Sequence, residues 1–283
     1  MSVTLEIEIR PTSRAVFAEV DAVVMRCAYA AQNHFGRLCE EAVYENDVKA
    51  RLRAMGFKDV HTQVRLQLSY QGFEKAYRLD LVVNGVLYDL KATDSLIPEH
   101  DAQALHYVTS LGLNRVKLIN FGSPRVEGKL HAAPFAENDR RQVTINRCRW
   151  QPQSEACNRL AHWFEGLVRS IGGFLRSEVY EEALVWFCGG VDCCIQRLPL
   201  SRDDIVLGRH ACRLHSDDCA FLVTAFKPGQ GRENYRQQLQ LLVNALPIRA
   251  VQWINVHHLD VSFITVQANE ADRQRNGGTG TAL

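Results

Sequence analysis

Three residues of one short segment have the types that can bind a divalent cation. Asp80, Asp89 and Lys91 lie in the run RLDLVVNGVLYDLK at residues 78–91. Two carboxylates offer the oxygen ligands that Mg²⁺ and Ca²⁺ prefer. Lys91, two residues after Asp89 on the same side of a strand, would flank such an ion. The segment therefore predicts a cation site whose position depends on how the chain folds back on itself.

Asn84-Gly85 in the middle of this segment predicts a tight β-hairpin, because a type I′ turn needs positive φ at both central residues. A two-residue turn there places Asp80 opposite Asp89, and Arg78 opposite Lys91. Carboxylates about 5 Å apart repel by about 3 kcal/mol at an effective dielectric of 20. A cation bound between the two carboxylates makes their interaction with the site favourable instead of repulsive. The alternative left open is a hairpin whose charged face is simply solvated; the other face is apolar and predicts core contacts for Leu79, Leu81, Val83, Val86, Tyr88 and Leu90.

Two glutamates occupy a predicted helix over residues 37–55, which ends before Gly56. Its inward stripe is predicted to contain Leu38, Glu41, Glu45, Val48, Leu52 and Met55. A charged group on a core-facing stripe is costly unless it is paired or bound to metal. The pattern favours a cleft-facing role, with rotation of the helix by a third of a turn as the alternative.

The remaining elements complete an α/β pattern. A strand is predicted at residues 64–68 and a helix from Pro98 to about Leu111, with Gln103 and Tyr107 on one stripe. A strand at 115–121 then completes a β-α-β crossover and is predicted to run parallel to its neighbour. The order predicts a mixed sheet sandwiched between helices.

At this point the sequence resembles a known group of proteins. The spacing D80-x8-D89-L-K91 resembles the PD-(D/E)xK signature of restriction-endonuclease-like nucleases. The helix GRLCEEAVYEN (36–46), the element Q103-A-L-H-Y107 and the strand KLINFG (117–122) resemble its GxxExxR family more closely. With Glu41 as the glutamate of that family, Leu38 and Tyr44 stand at the positions of its Gly and Arg.

The resemblance implies a restriction-endonuclease-like core of order α-β-β-β-α-β and a metal-dependent cut of a phosphodiester bond in nucleic acid. It implies that Asp80, Asp89, the Leu90 carbonyl and Glu41 hold Mg²⁺ or Mn²⁺. Lys91 would orient or deprotonate the attacking water and stabilise charge on the phosphate. Gln103 and Tyr107 would position water or backbone.

The chain then repeats this pattern. GGFLRSEVYEEAL (172–184) matches GRLCEEAVYENDV (36–48), and residues 232–256 follow the pattern of residues 97–121. This predicts a nuclease-like domain at 1–150, a second copy at 151–267 and a disordered tail at 268–283. The copies are predicted to pack as an internal pseudo-dimer, and a further oligomer stays open.

The second copy has lost the candidate ligands. Ser177 aligns with Glu41, and His215 or Ser216 with Asp80. Ala225 aligns with Asp89, while the residues that remain are Glu181, Lys227 and Gln238. The sequence therefore predicts no metal pair there and leaves a structural or substrate-holding role.

Composition sets the other limits. A net charge of +1 excludes nucleic-acid binding through a global positive field and requires local contacts. Nine cysteines without a CxxC pair, and no apolar leader or membrane segment, predict a cytoplasmic setting. A zinc site is not favoured, because the spacings between the Cys and His residues of this region fit no zinc finger or ribbon. These residues are Cys188, Cys193, Cys194, His210, Cys212, His215 and Cys219.

Two other functions stay open beside the nuclease. The first is a catalytically silent nuclease-like scaffold that binds nucleic acid or a protein partner, which the degenerate second copy and the near-neutral charge favour. The second is a structural oligomerisation unit. The intact set in the first copy argues against both, because a scaffold has no need of paired aspartates.

Overall fold

The chain divides into two units, Met1–Asp139 and Arg140–Leu283, in a computed structural model that describes residues 2–133, 139–202 and 205–269. The predicted boundary at 150 falls inside the second unit. The reason is that residues 144–149 form a strand that pairs with the last strand of that unit. Of the predicted tail, residues 270–283 lie outside the described part of the chain.

The first unit is one mixed sheet with helices against it. Its elements in chain order are β1 (Ser2–Leu5), α1 (Arg14–Phe35), α2 (Glu41–Ala54), β2 (Val60–Tyr70), β3 (Phe73–Val83), β4 (Val86–Lys91), α3 (Pro98–Leu111), β5 (Arg115–Asn120) and β6 (Glu127–Ala132). The strands lie in the order β1-β2-β3-β4-β5-β6. Strands β4 and β5 are parallel, and every other neighbouring pair is antiparallel. The predicted α-β-β-β-α-β order and the parallel crossover through α3 are confirmed.

Helices α1 and α2 cover one face of this sheet. Apolar residues spaced three or four apart on α1, such as Val20, Val24 and Cys27, form one stripe and are buried. They pack with Val48 and Leu52 of α2 against the predicted apolar face of the hairpin. The hydrophobic residues of that face, from Leu79 to Leu90, are at most 2% exposed.

Two residues of the predicted inward stripe of α2 lie elsewhere. Leu38 is 91% exposed and Met55 is 51% exposed. The helix begins at Glu41, so Leu38 lies in the preceding loop and Met55 follows the last helical residue. The prediction is nevertheless correct for the middle of the stripe, because Glu45, Val48 and Leu52 are buried.

The second unit has the same element order with one additional short helix, α6. Its elements are β7 (Thr144–Arg149), α4 (Glu155–Ile171), α5 (Ser177–Phe187), α6 (Val191–Cys194), β8 (Ile195–Arg202), β9 (Ile205–Ser216), β10 (Cys219–Thr224), α7 (Gln230–Asn244), β11 (Ala250–His257) and β12 (Asp260–Gln267). The strand order is β7-β12-β11-β10-β9-β8, with β10 parallel to β11. The five strands from β8 to β12 therefore pair in the same order and directions as β2 to β6.

Matching hydrogen bonds accompany the matching topology. Tyr44 donates its hydroxyl to the carbonyl of Gly36 at 2.7 Å, and Tyr180 donates to Gly172 at 2.6 Å. Both tyrosines are fully buried. Tyr44 also accepts a hydrogen bond from the Cys39 backbone and stacks on a phenylalanine ring. Tyr44 therefore fixes the loop before α2.

Among the described residues, the structure contains no helix with both the length and the apolar character that a membrane crossing needs.

Candidate active site

The hairpin forms with the predicted turn and register. Asn84 and Gly85 have φ of 47° and 77°, which is the type I′ requirement. The paired residues are Val83 with Val86, Val82 with Leu87, and Leu81 with Tyr88. The next position in this register places Asp80 opposite Asp89. Strand pairing between β3 and β4 ends just before them, so the two aspartates lie where the strands part.

Hydrogen bonds link the three predicted residues at the strand fork, the point where β3 and β4 part. Asp80 Oδ2 accepts the backbone N–H of Leu90 at 2.7 Å. Lys91 Nζ donates to Asp89 Oδ1 at 2.7 Å and to the Leu90 carbonyl at 2.9 Å. The same nitrogen is 3.9 Å from Asp80 Oδ2. The side chains of Asp80, Asp89 and Lys91 therefore lie close together at this end of the hairpin.

Asp89 is buried, the side chain of Asp80 is 12% exposed, and one oxygen of the pair lacks a partner. Asp89 is 1% exposed, and its Oδ2 has no hydrogen-bond partner within the described part of the chain when Asp80 is ionised. Burial, followed by the neighbouring Asp89, raises the pKa of Asp80 to about 8. At neutral pH Asp80 is therefore mostly protonated while no cation is bound. A buried carboxylate oxygen beside a second acidic group fits a hard divalent ion.

Glu41 interacts electrostatically with this cluster. It is the first residue of α2. Burial, followed by the charge of Asp80, raises the pKa of Glu41 to about 7, and the charge of Lys91 opposes this shift. Its carboxylate therefore senses the electrostatic field of both Asp80 and Lys91, which suits a ligand that binds directly or through water.

Glu45 is buried one turn after Glu41, and it has a partner that sequence reasoning missed. Gln63 Nε2 donates to Glu45 Oε2 at 2.6 Å. Gln63 adopts a φ of 55°, rare for a residue with a side chain. It lies between the β2–β3 pairs Thr62 with Leu81 and Val64 with Leu79, which places it beside Asp80. No signal in the alternating pattern of β2 marks this residue.

Gln103 and Tyr107 border the cluster from α3. Gln103 Nε2 donates to the Tyr107 hydroxyl at 2.9 Å, and that hydroxyl donates to the Arg78 carbonyl at 3.3 Å. Arg78 lies two residues before Asp80 on β3. The Gln103–Tyr107 pair therefore ties α3 to the strand that carries Asp80, which is a positioning contact.

The strand register changes the alignment of the second unit. Asn120 pairs with Lys91 and Asn255 pairs with Thr224. Asn120 Oδ1 accepts the backbone N–H of Thr93, and Asn255 Oδ1 accepts that of Phe226, in each case two residues after the paired position. Thr224 is therefore the counterpart of Lys91.

By the same register, Leu222 is the counterpart of Asp89, so the predicted equivalence of Ala225 and Lys227 with Asp89 and Lys91 is wrong. Both lie beyond the end of β10 and are exposed. The β9–β10 pairing places Cys212 opposite Leu222, and both side chains belong to an apolar cluster. His215 and Ser216, predicted to align with Asp80, lie nearer the turn.

A glutamate and an arginine occupy the corresponding place. Glu181 Oε2 accepts the backbone N–H of Val223, the counterpart of Leu90, at 3.3 Å. Arg213 lies 2.6 Å from Glu181 Oε1. The guanidinium supplies a fixed positive charge beside this carboxylate, so an ion pair and apolar packing replace the aspartate pair.

The fold and the cluster together define a mixed α/β unit with a buried carboxylate pair and a lysine at a strand fork. Residues 18–131 match a family model described as the PD-(D/E)XK nuclease superfamily. This range contains every predicted site residue. No curated protein and no solved structure gives a significant match. The finer resemblance to the GxxExxR family stays a prediction.

Proposed function

We propose that the first unit is a divalent-metal-dependent nuclease that hydrolyses phosphodiester bonds in DNA or RNA. The observation that carries this proposal is the buried Asp80–Asp89 pair, with one carboxylate oxygen unsatisfied and Lys91 bonded at its side. Burying two neighbouring carboxyl groups lowers the stability of the fold. Catalysis gives a reason to retain them.

The ligands for Mg²⁺ or Mn²⁺ would be Asp80, Asp89 and the Leu90 carbonyl, with Glu41 binding directly or through water. All are oxygen ligands, which these ions prefer. Bound there, the ion supplies a water of lowered pKa and stabilises charge on the phosphate oxygens.

Lys91 supplies the positive charge of the protein at the reacting phosphate. Burial acts to lower the pKa of Lys91, but the charges of Asp89, Asp80 and Glu41 outweigh burial and raise it. The ammonium group is therefore held in the site at neutral pH. Its donors can orient the attacking water and stabilise the negative charge that develops on the phosphate.

Gln103 and Tyr107 act as positioning residues in this proposal. Their link to the Arg78 carbonyl holds α3 against the strand that carries Asp80. Gln63 has a similar role, because its hydrogen bond to Glu45 fixes the residue one turn from Glu41.

The alternative is a silent scaffold that binds nucleic acid or a protein partner. The second unit favours it locally, because Leu222 and Thr224 stand where Asp89 and Lys91 do. The second unit is thus an example of this fold without the candidate metal ligands. The first unit retains the complete set, which favours catalysis there.

The full chain is expected to cut at least one substrate from a panel of single- and double-stranded DNA and RNA. The assay adds Mg²⁺ or Mn²⁺, and EDTA should stop the reaction. A matched control is Lys129→Met, which removes a partly exposed lysine of β6. Binding to the panel without metal-dependent products would favour the scaffold over the nuclease.

The packing of the two copies as an internal pseudo-dimer is part of the proposal and rests on the sequence repeat. A fragment of residues 1–139 is expected to self-associate through the apolar surface that a pseudo-dimer buries. Sedimentation of the fragment checks this. A soluble monomer with the Mn²⁺ affinity of the full chain would contradict it and indicate two independent domains.

A further inference from the structure

Three potential metal ligands from distant parts of the sequence meet in the second unit. Cys157 lies in the first turn of α4, His215 near the end of β9, and Cys219 at the start of β10. Their ligand atoms all lie within 4.8 Å of one another. The turn at residues 217–218 brings His215 and Cys219 together, and α4 supplies the third group. Cys157 is 58 residues from His215, so no spacing motif could reveal the cluster.

The surroundings of Cys157 favour a thiolate. Its Sγ accepts hydrogen bonds from the Gln153 backbone N–H and from Gln252 Nε2, both at 3.3 Å. Gln252 is fully buried, and its Oε1 lies 2.7 Å from the Thr265 hydroxyl. This contact orients the amide so that its NH₂ group faces the sulfur. Such donors around a ligand sulfur are the outer-shell contacts that metal sites use.

His215 and Cys219 can also act as metal ligands. Cys157 and Cys219 are fully buried free thiols. His215 Nε2 lies 4.0 Å from Cys157 Sγ, and His215 Nδ1 is buried with no hydrogen-bond partner in the described part of the chain. A buried ring nitrogen without a partner is uncommon. It lies in a half-buried side chain whose other nitrogen faces the sulfur.

We propose that Cys157, His215 and Cys219 bind Zn²⁺, with water in the fourth position. Zn–S bonds of about 2.3 Å and Zn–N bonds of about 2.0 Å place tetrahedral ligand atoms about 3.5–3.8 Å apart. The observed separations of up to 4.8 Å need to close by about 1.3 Å at most. Two thiolates balance the charge of the ion, and binding releases to solvent whatever protons the two sulfurs still hold. The soft sulfur ligands select zinc over the Mg²⁺ or Mn²⁺ proposed for the first unit.

The site joins three elements of the second unit. Zinc would connect the start of α4 to the β9–β10 hairpin, and Gln252 extends the contact to β11. Trp150 packs against the cluster formed by Cys157, Cys219 and Ala250. All four tryptophans of the chain, at positions 150, 163, 186 and 253, lie in the second unit. Tryptophan fluorescence therefore reports the unfolding of the unit that holds the proposed site.

The test uses the full chain, purified with a phosphine reductant and dialysed after loading with Zn²⁺. Elemental analysis is expected to find one zinc per chain, and Zn²⁺ should raise the fluorescence-detected unfolding temperature. Replacement by Co²⁺ should give the near-ultraviolet absorption that thiolate ligation produces. His215→Gln, the substitution at the half-buried ligand, should weaken zinc binding by at least about 100-fold. Cys157→Ser and Cys219→Ser should do the same.

Two control variants test whether the zinc is bound at this cluster and nowhere else in the chain. Cys148→Ser removes an exposed thiol, and Asp89→Asn alters only the proposed site of the first unit; both should retain the zinc. His215→Gln keeps the test valid if the cysteine variants fail to fold, and circular dichroism checks its fold. Absence of zinc in the reduced wild type overturns the proposal. A Cys157–Cys219 disulfide without zinc uptake after reduction, or an unchanged zinc content in His215→Gln, does so as well.

Discussion

Asp89→Asn should abolish both divalent-metal binding and phosphodiester cleavage by the first unit. Asn keeps the shape of the side chain but removes the charge of a residue that is 1% exposed. Metal-ion catalysis supplies several kcal/mol to a transition state of this kind, so the expected loss of rate is on the order of 1,000-fold or more. Calorimetric titration with Mn²⁺ and a cleavage assay measure the two effects on the same protein.

Lys91→Met separates metal binding from catalysis. Its Nζ lies 2.7 Å from Asp89 Oδ1, so removing this cation should leave Mn²⁺ affinity unchanged or make it tighter. Cleavage should nevertheless fall by about 100- to 10,000-fold, the usual contribution of a positioned group that moves or orients a proton. Full activity in Lys91→Met would contradict the assigned role. Mn²⁺ binding that survives Asp89→Asn would contradict the metal assignment itself.

The sequence predicted the parts of this site that depend on local structure. The Asn84-Gly85 turn sets the register of two adjacent strands, and that register alone brings Asp80 and Asp89 together. Lys91 follows by alternation along β4. The helical period placed Glu41 and Glu45 on one stripe, and the resemblance to the nuclease family singled out Glu41.

The contacts that sequence reasoning missed join segments far apart in the chain. Gln63 acts through a positive φ within a strand, which no alternating pattern signals. The second copy was misaligned by three residues, because the β9–β10 turn follows the start of α5 three residues sooner than the β3–β4 turn follows the start of α2. Lys227 lies at the spacing expected without this shift. Only the pairing of Asn255 with Thr224 reveals the shift. The cluster of Cys157 with the β9–β10 hairpin likewise depends on how α4 packs.

The aspartate pair should also make the metal-free protein less stable at higher pH. The ordinary pKa of Asp80 is 3.8, and burial with the nearby Asp89 raises it to about 8 in the folded state. Between these values the folded chain holds a proton that the unfolded chain has released. This contribution to stability is complete below pH 3.8 and is lost as the pH rises through 8. Glu41, whose pKa is raised to about 7, acts in the same direction.

Asp80→Asn removes the charge and keeps an oxygen that can accept the Leu90 N–H. In EDTA at pH 8.5 this variant should unfold several degrees above the wild type, as a gain on the order of 1–2 kcal/mol implies. The difference should shrink toward pH 5, where Asp80 of the wild type is protonated as well. With saturating Mn²⁺ the order should reverse, because only the wild type gains stability from the ion.

Calorimetry can assign this effect to the first unit. All four tryptophans belong to the second unit, so a heat-capacity peak without a change in tryptophan fluorescence marks unfolding of the first. Asp101→Asn is the matched control, because Asp101 lies on α3 and pairs with Lys129 away from the fork. A wild-type transition that does not move between pH 5 and 8.5, or one that Mn²⁺ raises equally in Asp80→Asn, would show that Asp80 is neither protonated in the metal-free site nor a ligand in the loaded one.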